Sequence, residues 1–218
     1  MLASPDVPPA MRAALTRLCA LDADLAEIEP RCGPLPWRRR PHGFPGLLQA
    51  ITAQQISNQA AHAIWTRLRA LPGALTPQGL LALDDDAFRS AGLSRPKVAH
   101  ARALAEACAS GGLDLEAVAG LTDTEAVAAI TTVRGIGPWT AEVYLLFALE
   151  RPDVFPAGDV ALQAAAAAVK RLPARPDAPG LRAIAAGWQP WRALAARLLW
   201  HHWRHATGRP AMDDIAAP

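Results

Sequence analysis

The sequence predicts an all-α fold, and three observations carry that prediction. Apolar residues recur at three-and-four spacing in the segments rich in them. Helix caps and stops punctuate those segments in the right order. No stretch alternates with period two for long enough to read as a strand. At 218 residues, 51% of them hydrophobic, the chain can bury the core of one large domain or two small lobes.

From about Ala10 to Ile28, the residues Met11, Ala14, Leu15, Leu18, Leu21, Leu25 and Ile28 line one face of a single long helix. The connection from Pro30 to Pro45 contains Pro34-Leu35-Pro36-Trp37-Arg38-Arg39-Arg40-Pro41 and is too broken for a regular element. Pro45 opens a helix through Leu47, Leu48 and Ile51. Ser57 caps the next, which turns Ala61, Ile64, Trp65 and Leu68 inward. Thr76-Pro77 is a cap followed by proline at the first helical position, and Gly92 stops the short helix before it. Ser94 starts a helix with Val98, Ala101, Leu104 and Ala105 inside, ending at Gly111-Gly112. Thr122 with Glu125 forms a capping box. Further helices are expected over Pro138 to Leu149, Asp159 to Leu172, Pro179 to Trp188 and Pro190 to about His205. The run Ala164–Ala168 is strong helix former, and the Asp213-Asp214-Ile215 tail is expected to fray.

Composition excludes several classes. No apolar run approaches the length of a membrane span. The first residues lack a basic n-region followed by an apolar h-region, so the expectation is a cytoplasmic, soluble chain without a secretory signal. Cys19, Cys32 and Cys108 are odd in number and scattered, which argues against a disulfide framework and against a zinc cluster. Net charge is only +2, but it is unevenly spread. Residues 37–102 carry +6, residues 103–150 carry −6 and residues 151–218 carry +4. Positive blocks on both sides of an acidic one give a patchy surface able to meet a polyanion. His201 and His205 stand one helical turn apart, as zinc ligands can, but no acidic or cysteine partner lies near them in sequence. A polar helix end that meets DNA is the better reading.

The most informative stretch is Val133-Arg134-Gly135-Ile136-Gly137-Pro138-Trp139-Thr140-Ala141, with Asp159 twenty residues after Trp139. Two glycines separated by one apolar residue let the backbone turn tightly and approach a ligand closely. Helices flank them, so the unit is helix, hairpin, helix, with amides able to receive a phosphate oxygen. A carboxylate soon after the second helix suggests chemistry at the bound backbone. An aspartate that follows glycine and precedes a helix also reads as an N-cap, and both roles can coexist.

This segment, from Ile130 to Leu162, resembles the hairpin, following helix and catalytic loop of the helix-hairpin-helix (HhH-GPD) DNA glycosylases. Leu48-Gln49-Ala50-Ile51-Thr52-Ala53-Gln54-Gln55-Ile56-Ser57 is similar to the family's helix and turn before its base-opening wedge, and Gly92-Leu93-Ser94 with Lys97 to another recurring element. The branch it most resembles is the bacterial 3-methyladenine DNA glycosylase II type, and it looks like a compact version holding only the helical part and not that branch's N-terminal β domain, which implies a nucleoid-associated monomer. The endonuclease III branch carries a four-cysteine iron–sulfur loop, which three dispersed cysteines cannot make. Bifunctional members carry a nucleophilic lysine just after the Gly-x-Gly turn, where this chain has Trp139. The resemblance therefore implies a monofunctional glycosylase of base excision repair that hydrolyses the N-glycosidic bond of alkylated purines in double-stranded DNA. It implies two lobes, residues 46–149 and residues 1–45 with 150–218, with a DNA-binding cleft between them.

The resemblance also implies roles. Asp159 stabilises the oxocarbenium-like sugar. Trp139 stacks on the extruded base, with Tyr144, Trp37 and Phe44 as further pocket candidates, whereas Trp65, Trp188, Trp191, Trp200 and Trp203 sit at core spacings. Gln54, Gln55, Lys97, Arg134, Gly135, Gly137 and Thr140 meet DNA. Gln55 takes the wedge position, a departure from the apolar residue common there. Lys97, Arg95 and Arg134 meet phosphates, and Arg38-Arg39-Arg40 is either a DNA-facing patch or a linker. No organic cofactor is implied. A monovalent cation, Na+ or K+, would sit on the carbonyls of Thr131, Val133 and Ile136. Two alternatives stay open: a non-catalytic helix-hairpin-helix DNA-binding module, and a hairpin glycosylase for another damaged base such as uracil or mismatched thymine.

Overall fold

The computed structural model describes residues 7–209, so the acidic tail expected to fray lies outside the described residues. Among the described residues every regular element is helical. In order these are α1 (Pro9–Leu21), α2 (Ala23–Ala26), α3 (Ile28–Cys32), α4 (Phe44–Ala53), α5 (Asn58–Arg69), α6 (Pro77–Leu81) and α7 (Asp85–Ala91). There follow α8 (Arg95–Ala109), α9 (Leu115–Gly120), α10 (Asp123–Thr131), α11 (Pro138–Phe147), α12 (Val160–Val169), α13 (Ala178–Ala185) with a 3-10 turn over Ala186–Trp188, and α14 (Arg192–Thr207). They fall into two compact units, one formed by the residues up to Arg39 and from Glu150 onward, the other by Arg40–Leu149.

In the first unit the single long helix expected at the start is broken into three. The break is at Asp22, whose backbone is extended (φ −138°) and whose Oδ1 accepts the amides of Asp24 and Leu25 at 3.1 and 3.3 Å. The helical periodicity runs through the break because α2 and α3 restart on the same apolar face, burying Leu25 and Ile28. The Asp22 carboxylate also receives the indole N–H of Trp188 at 2.7 Å and the Lys170 ammonium at 3.0 Å. Burial works against the charged form, but these donors outweigh it and hold the Asp22 pKa below the ordinary value. Around this hub α12 packs on α14. Ala165 and Ala166 on one helix and Ala195 and Ala196 on the other are wholly buried, and such small side chains permit close approach.

The second unit is organised on α4, which packs against α5, α8 and α11 and buries Leu47, Leu48 and Ile51 completely. Ser57 and Thr76 cap α5 and α6 as expected, accepting the amides of Ala60 and Gly79. Gly92 ends α7 in the left-handed region at φ +90°. The Thr122–Glu125 capping box opens α10, with Glu125 Oε2 accepting the Thr122 amide at 3.0 Å. Helix α9, absent from the sequence reading, is a short turn capped by Asp114, which accepts the amides of Glu116 and Ala117. Its six residues bury only Val118, too little periodicity to read.

Candidate functional site

The hairpin lies in the second unit, where α10 gives way to α11. The Val133 amide donates to the Ile130 carbonyl at 3.2 Å and the Ile136 amide to the Val133 carbonyl at 3.1 Å, while the side chains of Val133 and Ile136 anchor the loop in the core. The two glycines do different work. Gly135 sits at φ +87°, and a Cβ there would stand 2.1 Å from Cγ of His100, so only glycine fits. Gly137 has φ −91°, a value open to any residue, and nothing lies within 4 Å of where its Cβ would be. It is exposed at the N-terminus of α11, with Pro138 in the first turn and Arg134 exposed nearby in the loop. The backbone there is bare on its outer side and at the positive end of a helix dipole.

Facing the hairpin within the same unit is the turn that follows α4. Gln54 caps the helix, Gln55 is left-handed at φ 56°, and both Gln55 and Ile56 are exposed before Ser57 caps α5. Three side chains expected on the DNA make hydrogen bonds within the unit. The Gln54 amide nitrogen donates to the Gly135 carbonyl and to Thr140 Oγ1, both at 3.0 Å. Thr140 itself is buried. Lys97 donates from Nζ to the Thr52 carbonyl at 2.6 Å, and burial lowers its pKa below the usual lysine value. Gln54 and Lys97 supply donors to main-chain acceptors of the hairpin and of α4, and Thr140 accepts from Gln54.

Asp159 belongs to the first unit. The Val154–Phe155 pair is buried, and Phe155 packs edge-on against Trp188 with ring centroids 5.7 Å apart. The turn after it is tied by the Ala157 amide to the Phe155 carbonyl at 2.8 Å and the Asp159 amide to the Pro156 carbonyl at 2.9 Å. Buried Gln163 reaches back to donate to the Ala157 carbonyl at 3.0 Å. Asp159 is half-buried and caps α12, its Oδ1 accepting the Leu162 amide at 2.9 Å. The same oxygen accepts the indole N–H of Trp200 at 3.2 Å. Trp200 is therefore no core residue. Its position on α14 carried no sequence signal, because an indole at helical spacing looks alike whether it fills a core or orients a carboxylate. Gln163 and His100 were missed for the same reason.

Three of the four aromatic pocket candidates are interior. Tyr144 is 1% exposed, and its hydroxyl accepts the Gly43 amide at 3.0 Å, so it packs α11 against the start of α4. Phe44 is buried in that first turn. Trp37 is buried with its indole N–H on Glu150 Oε1 at 3.0 Å and the Arg197 guanidinium 4.1 Å above its ring. Tyr144 and Trp37 are hydrogen-bonded within their own units, and Phe44 is buried in its own. Trp139, in the first turn of α11, is half-exposed. Of the remaining indoles, Trp65 and Trp188 are core as expected, while Trp191 and Trp203 are only half-buried.

In the arginine run, Arg39 pairs with Glu150 at 3.0 Å while 61% of its side chain stays exposed, Arg40 stacks on Phe147, and the Arg38 carbonyl accepts Arg197. His201 is half-buried and donates from Nε2 to the Gly33 carbonyl at 2.9 Å. Burial also pushes its pKa down, so the neutral ring is favoured. Among the described residues no cluster of His, Cys, Asp and Glu side chains could hold a metal ion.

Comparison with known proteins places this geometry. The sequence model of the HhH-GPD superfamily base excision DNA repair proteins matches residues 48–190. The DNA-3-methyladenine glycosylase 1 of Schizosaccharomyces pombe is 32% identical over 161 residues, 72% of this chain and 71% of that protein. The solved structure of the S. pombe 3-methyladenine DNA glycosylase in complex with abasic DNA superposes with a TM-score of 0.79 at 28% identity, covering 88% of this chain and 95% of that one. A DNA-3-methyladenine glycosidase from Bacillus halodurans gives a TM-score of 0.75 at 30% identity, covering 91% and 93%.

Proposed function

The chain belongs to the HhH-GPD superfamily of base excision DNA repair proteins, and from that premise we propose that it is a monofunctional DNA glycosylase releasing alkylated purines from duplex DNA. The observation that carries the reading is the Asp159 carboxylate, held by two N–H donors at the head of α12. Such an enzyme must extrude the damaged nucleotide, since the glycosidic bond is out of reach within the stack. The hairpin backbone at Gly137 receives phosphate, Arg134 adds charge, and Gln55 enters the space the base leaves. N-alkylated purines already carry positive charge, so their bonds break without a general acid. Trp139 offers a ring to that cation, an interaction worth ~0.5–2 kcal/mol.

As the base departs, positive charge grows on the sugar, and a carboxylate near C1′ stabilises it and orients the attacking water. The Leu162 amide and the Trp200 indole keep Asp159 in one rotamer, so no reorganisation is needed as charge develops. A second, lyase step would need an amine nucleophile. The chain has two lysines, and both are committed, Lys97 to the Thr52 carbonyl and Lys170 to Asp22 and Asp24. The carbonyls of Thr131, Val133 and Ile136 would be the ligands of a monovalent cation, hard oxygens being what such an ion takes, and the Val133 carbonyl keeps a second lone pair beside the Ile136 amide. An ion there would add positive charge to the phosphate-binding loop.

Duplex DNA treated with an N-methylating agent tests the proposal. Incubation should release free 3-methyladenine and 7-methylguanine, read by chromatography of the ethanol-soluble fraction. Release of neither, with tight duplex binding, would leave a binding module; release of a different damaged base would keep the enzyme and change its substrate.

A further inference from the structure

Helix α8 holds two loops of the second unit with side chains one helical turn apart. Lys97 Nζ donates to the carbonyl of Thr52, in the last turn of α4, two residues before Gln54. His100 lies beneath Gly135 so closely that the hairpin admits no Cβ there. Gln54 spans the same two loops, donating to the Gly135 carbonyl and the Thr140 hydroxyl. The turn so anchored is unusual. Gln55 is left-handed at φ 56°, a region that an L-residue with a side chain adopts only at a cost. Beside it Ile56 leaves 36% of its surface exposed. A left-handed glutamine followed by an exposed isoleucine contributes nothing to a core, and such strain persists only where its surroundings over-determine it.

We propose that Lys97 is a positioning residue for base opening. Its ammonium, seated on a carbonyl at the negative end of α4, holds the Gln55–Ile56 turn at a fixed distance from the hairpin, so that the turn enters the duplex where the hairpin grips the backbone. This rests on the glycosylase reading, since only a protein that extrudes a base needs a wedge. It also gives the lysine a different task from the phosphate contact its position suggests. A lysine whose Nζ meets phosphate acts on every duplex alike, whereas a brace acts only where a base pair must be opened.

The test compares wild type, Lys97→Met, Lys97→Arg and Ile56→Ala in single-turnover release of one 7-methylguanine. The lesion is placed either opposite cytosine in a duplex or in a single strand. Lys97→Met keeps the stem and loses the donor, and should lose about tenfold on the paired substrate against less than about threefold on the unpaired one. Lys97→Arg should restore most of the paired rate. Ile56→Ala, at the exposed tip where folding is not at stake, should repeat the paired-only loss. The slope of log affinity against log salt for undamaged duplex should not change in Lys97→Met. Equal losses on both substrates, no loss in Lys97→Met or Ile56→Ala, or a slope shallower by about one would overturn the brace, the last returning Lys97 to a phosphate. If wild type releases 7-methylguanine from neither substrate and no 3-methyladenine from methylated duplex, the alkylated-purine reading falls instead, and the proposal with it.

Discussion

The hairpin and the Asp159 cap both hold a ligand-facing group still, and they do so by opposite means. At the hairpin the group is main chain, and it is fixed by backbone geometry: a left-handed Gly135 pressed on His100, with Gln54 closing the loop from α4. At the cap the group is a side chain, and it is fixed by two donors on one oxygen, a neighbouring amide and an indole from α14. The first arrangement leaves no room for a single added carbon. The second tolerates substitution in the fold but not in the chemistry. A mutation at Gly135 should therefore register first in stability, and mutations at the cap first in rate.

The largest effect on folding is expected at Gly135. Gly135→Ala must accept both a positive φ and a clash with the His100 ring, and should lose about 2–4 kcal/mol in chemical unfolding. Gly137→Ala, in the same loop, should stay within about 0.5 kcal/mol of wild type and lose duplex affinity, because the new methyl stands where a phosphate approaches. If the two glycines cost alike, the division of labour between them is wrong. At the cap, Trp200→Phe keeps the ring and removes the donor. It should lower the single-turnover rate about tenfold, with thermal midpoint and duplex affinity near wild type.

Smaller effects distinguish the surface from the core. Asp22 has a depressed pKa in the folded state, so its contribution is fully present above the ordinary aspartate value of about 3.9 and is lost as pH falls through the folded value. The gap in thermal midpoint between wild type and Asp22→Asn should accordingly be constant near neutrality and close only in acid; a gap that closed between pH 7 and 5 would contradict the assignment. Arg134→Ala should flatten the salt dependence of duplex binding by about one in slope and leave stability unchanged.

The same contrast explains what could be read from the sequence. Features encoded within a few residues were legible: the caps at Ser57, Thr76 and Thr122, the stop at Gly92, and the Gly-x-Gly loop between two helices. Asp159 as a cap of α12 is of this kind. Features that depend on what the fold brings together were not. Asp22 looked like one polar residue in a long helix because Lys170 and Trp188, which reward the break there, lie far along the chain. Gln54, Thr140 and Lys97 were placed on DNA because polar residues near a binding loop have the same composition whether they face a ligand or brace the loop. Tyr144, Phe44 and Trp37 carry the same ambiguity, an aromatic side chain giving no sign in sequence of whether it fills a core or lines a pocket, and Trp200 carries it in reverse.

The most direct test of the account separates binding from chemistry at Asp159. Wild type and Asp159→Asn would be compared in single-turnover release of 7-methylguanine and in affinity for the same duplex. Asparagine keeps the cap oxygen and the size of the side chain but removes the charge. The account predicts a loss of at least about a hundredfold in rate, with duplex affinity and thermal midpoint close to wild type. An unchanged rate in a well-folded Asp159→Asn protein would show that the aspartate only caps α12, and would contradict the central claim.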